Sequence, residues 1–264
     1  MTTADPAPTP PAAADRIYVG YLPATPRARR VATIAIGAVV AGAAALGGVI
    51  AAAQRPAGPA VWDEQPQTWD GYVLEKPYPM LIGGTQQAPT VYLLVGVGKI
   101  GAQDPLKGLG GKPARVSGTL ISRSGQGIIE LHDGDSVTPL AYDPGSDLPF
   151  SSHVASAGPE SRAGEIVDFK CFLGAMKPGD GKGHKACATL CILGGIPPAI
   201  VTPTQGGGFE WAVLVGTEGA ADPQGVIPYI AEPVRVFGER WDVRVLDRPV
   251  MAILAIDRIE RIGG

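Results

Sequence analysis

Two segments of this chain recur at one fixed separation, and that recurrence limits its fold more than any other feature. Val91-Tyr92-Leu93-Leu94-Val95-Gly96 matches Trp211-Ala212-Val213-Leu214-Val215-Gly216, and Ala114-Arg115-Val116-Ser117-Gly118 matches Val234-Arg235-Val236-Phe237-Gly238, both 120 residues apart. A register shared by two separate segments points to duplication of a whole unit. Between them, Gly101-Ala102-Gln103-Asp104-Pro105 recurs as Gly219-Ala220-Ala221-Asp222-Pro223 with a two-residue slip, as expected where loops drift.

Each copy reads as short strands: an apolar strand ending in Gly, a loop, an alternating strand such as Ala114 to Ile121, then another such as Gly127 to Leu131 or Val250 to Ile256. With 37 glycines, 26 prolines and only 18% charged residues, many strands joined by turns are favoured over long polar helices. Twisted antiparallel strands in this order close most economically into a small barrel. The expected fold is therefore mainly β, with two tandem OB-like barrels over 60–142 and 164–262. Pro144, Gly145, Ser146, Ser151, Ser152, Gly158 and Pro159 mark 143–163 as the linker.

Ahead of the barrels the chain changes character. Residues 1–15 hold four prolines among small residues, so 1–30 is expected as a disordered cytoplasmic tail. Val31 to Ala53 is a run of 23 uncharged residues. As a helix it extends about 34 Å, enough to cross a bilayer core. A soluble helix of this length carries a polar face and a signal peptide a shorter apolar stretch, so a retained transmembrane anchor is expected. Gly37, Gly42, Gly47 and Gly48 suit close helix contact in lipid. Arg16, Arg27, Arg29 and Arg30 precede the span and only Arg55 follows closely, which places the N-terminus in the cytoplasm and the barrels in the periplasm of a single-pass inner-membrane protein. Val-Ala-Thr after Arg29-Arg30 does not supply a twin-arginine export pattern.

The chemistry concentrates in 21 residues that hold all three cysteines and one of three histidines: Cys171, His184, Cys187 and Cys191, spaced Cys-x12-His-x2-Cys-x3-Cys. His184 to Leu193 lacks Gly and Pro, so a short helix is expected, with 184, 187 and 191 on one face. Cys171, after the strand-like Glu165 to Lys170, supplies a fourth donor once the loop folds back. Four N/S donors satisfy tetrahedral zinc, and soft thiolates equally hold copper(I), with Met176 as an extra thioether. Lys170, Lys182 and Lys185 are candidates for favouring thiolates. An exported location equally favours a disulfide from Cys171 to Cys187 or Cys191, and a redox-active thiol is the third reading. No organic cofactor is expected. A c-type haem needs Cys-x-x-Cys-His, whereas here the His comes first.

Gly164-Glu165-Ile166-Val167-Asp168-Phe169-Lys170-Cys171, Gly183-His184-Lys185-Ala186-Cys187-Ala188-Thr189-Leu190-Cys191 and Gly194-Gly195-Ile196-Pro197-Pro198 together resemble a group of mostly uncharacterised exported bacterial proteins. That group combines a Gly-Glu-Val-Val-Asp-like strand, a Cys, a His-Lys-x-Cys-Ala-x-x-Cys segment, a Gly-x-Pro turn and an OB-like barrel. The resemblance covers residues 164–262 and implies the barrel and the shared Cys/His residues, with no particular activity. The anchor and the cysteine-free first copy depart from it.

Other features read more plainly. Leu131-His132-Asp133-Gly134-Asp135 is a polar turn rather than a cation loop, and His153 falls in the linker. Gly96-Val97-Gly98 and Gly108-Leu109-Gly110-Gly111 lack the context of a dinucleotide site and read as turns. Trp62, Trp69, Trp211 and Trp241 are expected in barrel packing, with Trp62 and Trp69, closest to the bilayer, as the two that could instead serve the membrane interface or a ligand. A net charge of −3 offers no field for nucleic acid, and no Ser/His/Asp set is identifiable. The expected role is an accessory or structural subunit of a membrane complex, such as a respiratory or electron-transfer complex, with a membrane-protein partner. The alternative is an exported thiol-redox or zinc- or copper-handling protein. Haem chaperoning, an analogy from other anchored OB barrels, ranks last because their His-x-x-x-Tyr motif is absent.

Overall fold

The computed structural model describes residues 24–53, 59–63, 65–85, 87–132, 136–141, 152–205 and 207–263, in two units that divide at Arg55/Pro56. Calls on residues 1–23, on Asp133 and Asp135 and on 143–151 lie outside them.

The first unit is one helix, α1 (Pro26–Ala53). Among the described residues it is the one helix long and apolar enough to cross a membrane, which fits a single-pass membrane protein or a signal sequence. Its apolar side chains, among them Val31, Ile36, Val40 and Leu46, are exposed, as a lipid-facing helix requires. It starts five residues earlier than its apolar run. Pro26 takes a first-turn position where its missing N–H costs nothing, and Thr25 Oγ1 accepts from the Ala28 N–H at 3.2 Å. Residues 26–30, expected in a disordered tail, are therefore helical.

The second unit is built of strands β1 (Ala60–Trp62), β2 (Gln67–Leu74), β3 (Met80–Gly84), β4 (Pro89–Val95), β5 (Pro113–Arg123), β6 (Gln126–Leu131), β7 (Val137–Pro139), β8 (Ser152–Asp168), β9 (Pro198–Pro203), β10 (Phe209–Val215), β11 (Pro233–Val245) and β12 (Arg248–Arg261). In the second copy β8, β9, β10, β12 and β11 form a closed barrel, with β10 and β12 parallel and the other pairs antiparallel. The first copy traces the same circuit through β2, β3, β4, β6 and β5, with β4 and β6 parallel. Both are OB-like, as the repeat predicted. Two one-turn helices, α2 (Gln103–Leu106) and α4 (Pro223–Val226), recur at the same offset of 120 after β4 and β10.

The shared register extends to the glycines that let strands cross closely. A Cβ on Gly118 would overlap the Glu130 carbonyl oxygen, and one on the equivalent Gly238 the Ala255 carbonyl oxygen. Only a residue without a Cβ fits where each barrel coils most tightly.

One expectation about a boundary changes. Ser152–Asp168 is one strand paired with β11 from Val245↔Ser152 to Pro233↔Glu165, so the predicted linker is strand from residue 152 onward. Its Ser, Gly and Pro content conceals this, because Gly158 sits at a register irregularity with φ 93° and does not end the strand. The two barrels share a core: Met80, Leu93, Ile121 and Ile128 of the first pack in one cluster with Val167, Phe169, Phe172 and Val213 of the second. Tyr78 Oη reaches across to the Leu214 carbonyl at 3.3 Å.

Gly238→Ala forces the Ala255 carbonyl out of register, and Gly118→Ala does the same to Glu130. Each substitution should cost about 1–3 kcal/mol of stability, the range for overpacked sites, read from the chemical unfolding midpoint of the detergent-solubilised chain.

Candidate functional site

The copies differ most in one connection. Residues 75–79 join β2 to β3, whereas 169–197 join β8 to β9 and carry every cysteine. This insertion leaves β8 through a π-helical turn, Cys171–Ala175, passes a 3-10 turn at Lys182–His184, and returns along α3 (Lys185–Leu193). Gly174 ends the first turn at φ 149°, where its Cα lies so close to the Ala60 methyl that a side chain would crowd it. The insertion thus lies in the seam between the barrels.

There the Sγ atoms of Cys171, Cys187 and Cys191 fall within 4.8 Å of one another, all as free thiols. Cys171 and Cys191 are buried and Cys187 is half-buried. All three line a cavity of about 260 Å³ whose other walls include Trp62, Val97, Ala175 and Met176.

His184 does not join them. Its ring is buried against Asp168, with Nε2 at 2.9 Å from Oδ2, while Asp168 Oδ1 accepts the Cys171 N–H at 2.8 Å. The four predicted donors therefore divide into two trios that share Cys171: Cys171, Cys187 and Cys191, and Asp168, Cys171 and His184. Helical spacing put His184 on the cysteine face, but α3 starts one residue later and a fully buried carboxylate claims the imidazole. In the second trio both Asp168 carboxylate oxygens are already paired, Oδ1 with the Cys171 N–H and Oδ2 with His184 Nε2. The thiol trio has both the donors and the room.

The cations also differ from expectation. Lys170 is buried in an ion pair with Glu130 of the first barrel and donates to the carbonyls of Gly96 at 2.9 Å and Gly98 at 2.7 Å. Lys182 and Lys185 turn to Glu232, at 3.8 and 3.1 Å. The cation that meets the thiols is Lys99, whose Nζ lies 2.7 Å from Cys187 Sγ and 3.9 Å from Cys191 Sγ. It reaches them because Gly194 lets the two backbones touch: Gly101 N–H donates to the Gly194 carbonyl at 2.8 Å, and a Cβ on Gly194 would overlap the Lys99 carbonyl. The hydrogen bond from Cys171 holds the Cys191 thiol down at about 7, against burial, with Lys99 adding a smaller favourable charge. The same bond and burial push Cys171 far up.

Sequence reasoning missed Lys99, Asp168 and Glu130. Gly96-Val97-Gly98 is a turn, as expected, but its carbonyls also cradle Lys170. Trp69 tilts on Tyr92 at 6.3 Å and Trp211 stacks on Phe169 at 4.4 Å, so both serve barrel packing, as Trp241 does in the shared core. Trp62 instead lines the cavity. His132 Nε2 pairs with Thr119 Oγ1 at 2.9 Å. His153 lies within β8.

No family model matches the sequence, and no curated protein matches it. Among solved structures it is similar, at 10% identity, to one described as the crystal structure of the tetrameric p202 HIN2. That match covers 80% of this chain and 100% of the other at a TM-score of 0.22, a likeness that carries no argument. The fold assignment rests on the strand pairing itself.

Glu130→Ala strands the buried Lys170 ammonium and should cost about 3–5 kcal/mol in denaturant unfolding, as for other buried charges left without a partner. Lys99→Met removes a cation that favours the thiolate, so the first thiolate of the cluster, which titrates near 7 in the parent, should form at higher pH. Thiolate ultraviolet absorbance followed against pH measures that shift; because Lys99 is solvent-exposed, the shift should shrink with added salt.

Proposed function

We propose that this chain is a membrane-anchored soft-metal-binding protein, with Cys171, Cys187 and Cys191 as the ligands. One observation carries the reading: three thiols from two separate elements converge within 4.8 Å on a shared cavity. Tetrahedral or trigonal thiolate coordination with bonds of about 2.3 Å requires sulfurs about 4 Å apart, so the trio fits zinc or copper(I) with small adjustments. Asp168 and His184 position Cys171 from behind, in the manner of an outer shell around metal ligands.

The anchor supports a place beside a membrane complex. Arginines before the span and few after it support a cytoplasmic N-terminus and periplasmic barrels, with an integral membrane protein as partner. In that setting the protein acts as an accessory subunit, and the thiol site is what it contributes.

A specific observation favours thiol redox chemistry as a second reading: Cys171 donates to a Cys191 whose thiol is held at about 7. Cysteines four apart on a helix have Cβ atoms about 5–6 Å apart, wider than a disulfide accepts, which leaves Cys171 with Cys187 or Cys191, and the Cys171–Cys191 hydrogen bond favours the latter pair.

The test is elemental analysis of the full chain, purified in detergent under reducing, oxygen-free conditions, with mass mapping of its thiols. The metal reading expects a single copper or zinc ion per chain, lost in Cys191→Ser, and an affinity about 10–100-fold weaker in Asp168→Asn. A protein that carries neither ion, takes up neither on titration and forms a stable Cys171–Cys191 disulfide would overturn it in favour of redox chemistry.

A further inference from the structure

Resting on the metal reading, a second question is what the ion is for. A structural ion holds together a fold that fails without it and is closed in by four protein ligands, whereas an exchangeable ion sits in a site already shaped and left open on one side. The two designs leave different marks on the apo protein.

Here the chain's own contacts hold the site in shape. Asp168 fixes the Cys171 backbone at 2.8 Å and holds His184 at 2.9 Å, and Glu165 Oε1 accepts the Gly181 N–H at 2.5 Å, which ties the middle of the insertion to β8. Phe172, one residue after Cys171, is buried against Phe209 at 4.8 Å with the Arg123 guanidinium 4.7 Å above its ring. At the other end the Ile196 N–H donates to the Cys191 carbonyl at 3.0 Å, closing the turn after α3. The barrel needs no ion either, since the first copy completes the same strand circuit with five residues in place of the insertion.

The site is also open. All three cysteines face the cavity of about 260 Å³, and among the described residues no His, Asp or Glu joins the trio within 4.8 Å; Glu130, also in the cavity wall, is engaged by Lys170. The cavity walls are largely apolar, and a thioether, Met176, stands 46% exposed among them. Lys99, the cation that meets Cys187, is an exposed side chain on a flexible stem, free to swing away without disturbing the core. Soft sulfur donors and an apolar approach select copper(I) over hard cations.

We propose that the thiol trio is an exchange site that receives copper(I) as cargo and passes it on through this cavity, and is not a structural staple. In transfer, a donor atom of the acceptor enters the cavity and bonds to the three-coordinate ion, and the Cu–Sγ bonds then break in turn. Copper stays in the +1 state throughout, and the released thiolates take up protons from solvent according to their own equilibria. No oxidant or reductant takes part.

The experiment loads the full chain in detergent with copper(I) under oxygen-free conditions and follows its passage to a colorimetric bidentate copper(I) chelator at rising concentration. A transfer rate that climbs with chelator concentration is expected, because the chelator must join the ion before the thiolates leave. The metal-free chain should keep its near-ultraviolet circular dichroism and unfold cooperatively. Val97→Trp, which narrows the mouth at an exposed position, should lower the slope of rate against chelator severalfold while copper binding is retained. A rate independent of chelator, or a metal-free chain that has lost its tertiary spectrum, would overturn the exchange proposal and leave a structural copper site. A chain that binds no copper(I) at all would instead overturn the underlying metal reading.

Discussion

The seam between the two barrels depends on one buried ion pair. Lys170 carries three donors, and the fold supplies three acceptors: Glu130, the Gly96 carbonyl and the Gly98 carbonyl. With every donor satisfied, burial of the ammonium is tolerated, and the ion pair and hydrogen bonds fix the relative position of two chain segments that are distant in sequence. Lys170 immediately precedes Cys171, and the glycine turn it grips immediately precedes Lys99. The charge that joins the barrels therefore also sets the distance between the thiols and the cation that faces them. A neutral, well-packed seam could hold the barrels together, but it would not register these particular side chains against each other.

Duplication supplied two equal surfaces, and later differences made the seam asymmetric. By the parallel register, Glu130 stands opposite Val95 in the first copy where Ala255 stands opposite Val215 in the second. At the offset of 120, Lys99 corresponds to Gly219, which sits at φ 76°. The first barrel thus contributes Glu130, which pairs with Lys170, and Lys99, which meets the thiols, and the second contributes the insertion itself. Neither copy alone contains the site, which explains how a cysteine-free repeat belongs to the chemistry of its neighbour.

Much of this was legible in the sequence. Strand order, duplication and the OB-like closure followed from apolar runs ending in glycine at a constant offset, because hydrophobic period and turn chemistry are local properties. The convergence of three cysteines followed from their density. What the sequence did not reveal was long-range: the imidazole of His184 turned away from the cysteine face because Asp168, sixteen residues earlier and fully buried, needed a partner. Lys99 reached the thiols across 88 residues of sequence because Gly194 allows the loop to touch. Strand β8 was hidden because its serines, glycines and prolines suit an irregular strand as well as a linker, and only pairing with β11 decides between them.

The position of the site in the seam follows from what a small barrel can accommodate. Each OB-like interior is filled by its own strands, as the buried clusters around Leu214 and around Leu94 show, so there is no room for a ligand within either barrel. Space of useful size arises where two convex barrels meet and cannot close completely. An insertion from one barrel, pinned by Asp168 and Glu165 on its own side and by Lys170 on the other, can line that space with thiols without straining either core. The cavity is bounded by residues of both barrels, Trp62, Val97 and Glu130 from the first and the cysteines from the second. A relative shift of the barrels would therefore alter the mouth before it altered the spacing of the thiols, which all belong to one barrel. Access to the site is set by the seam, while the ligand geometry is set within the insertion.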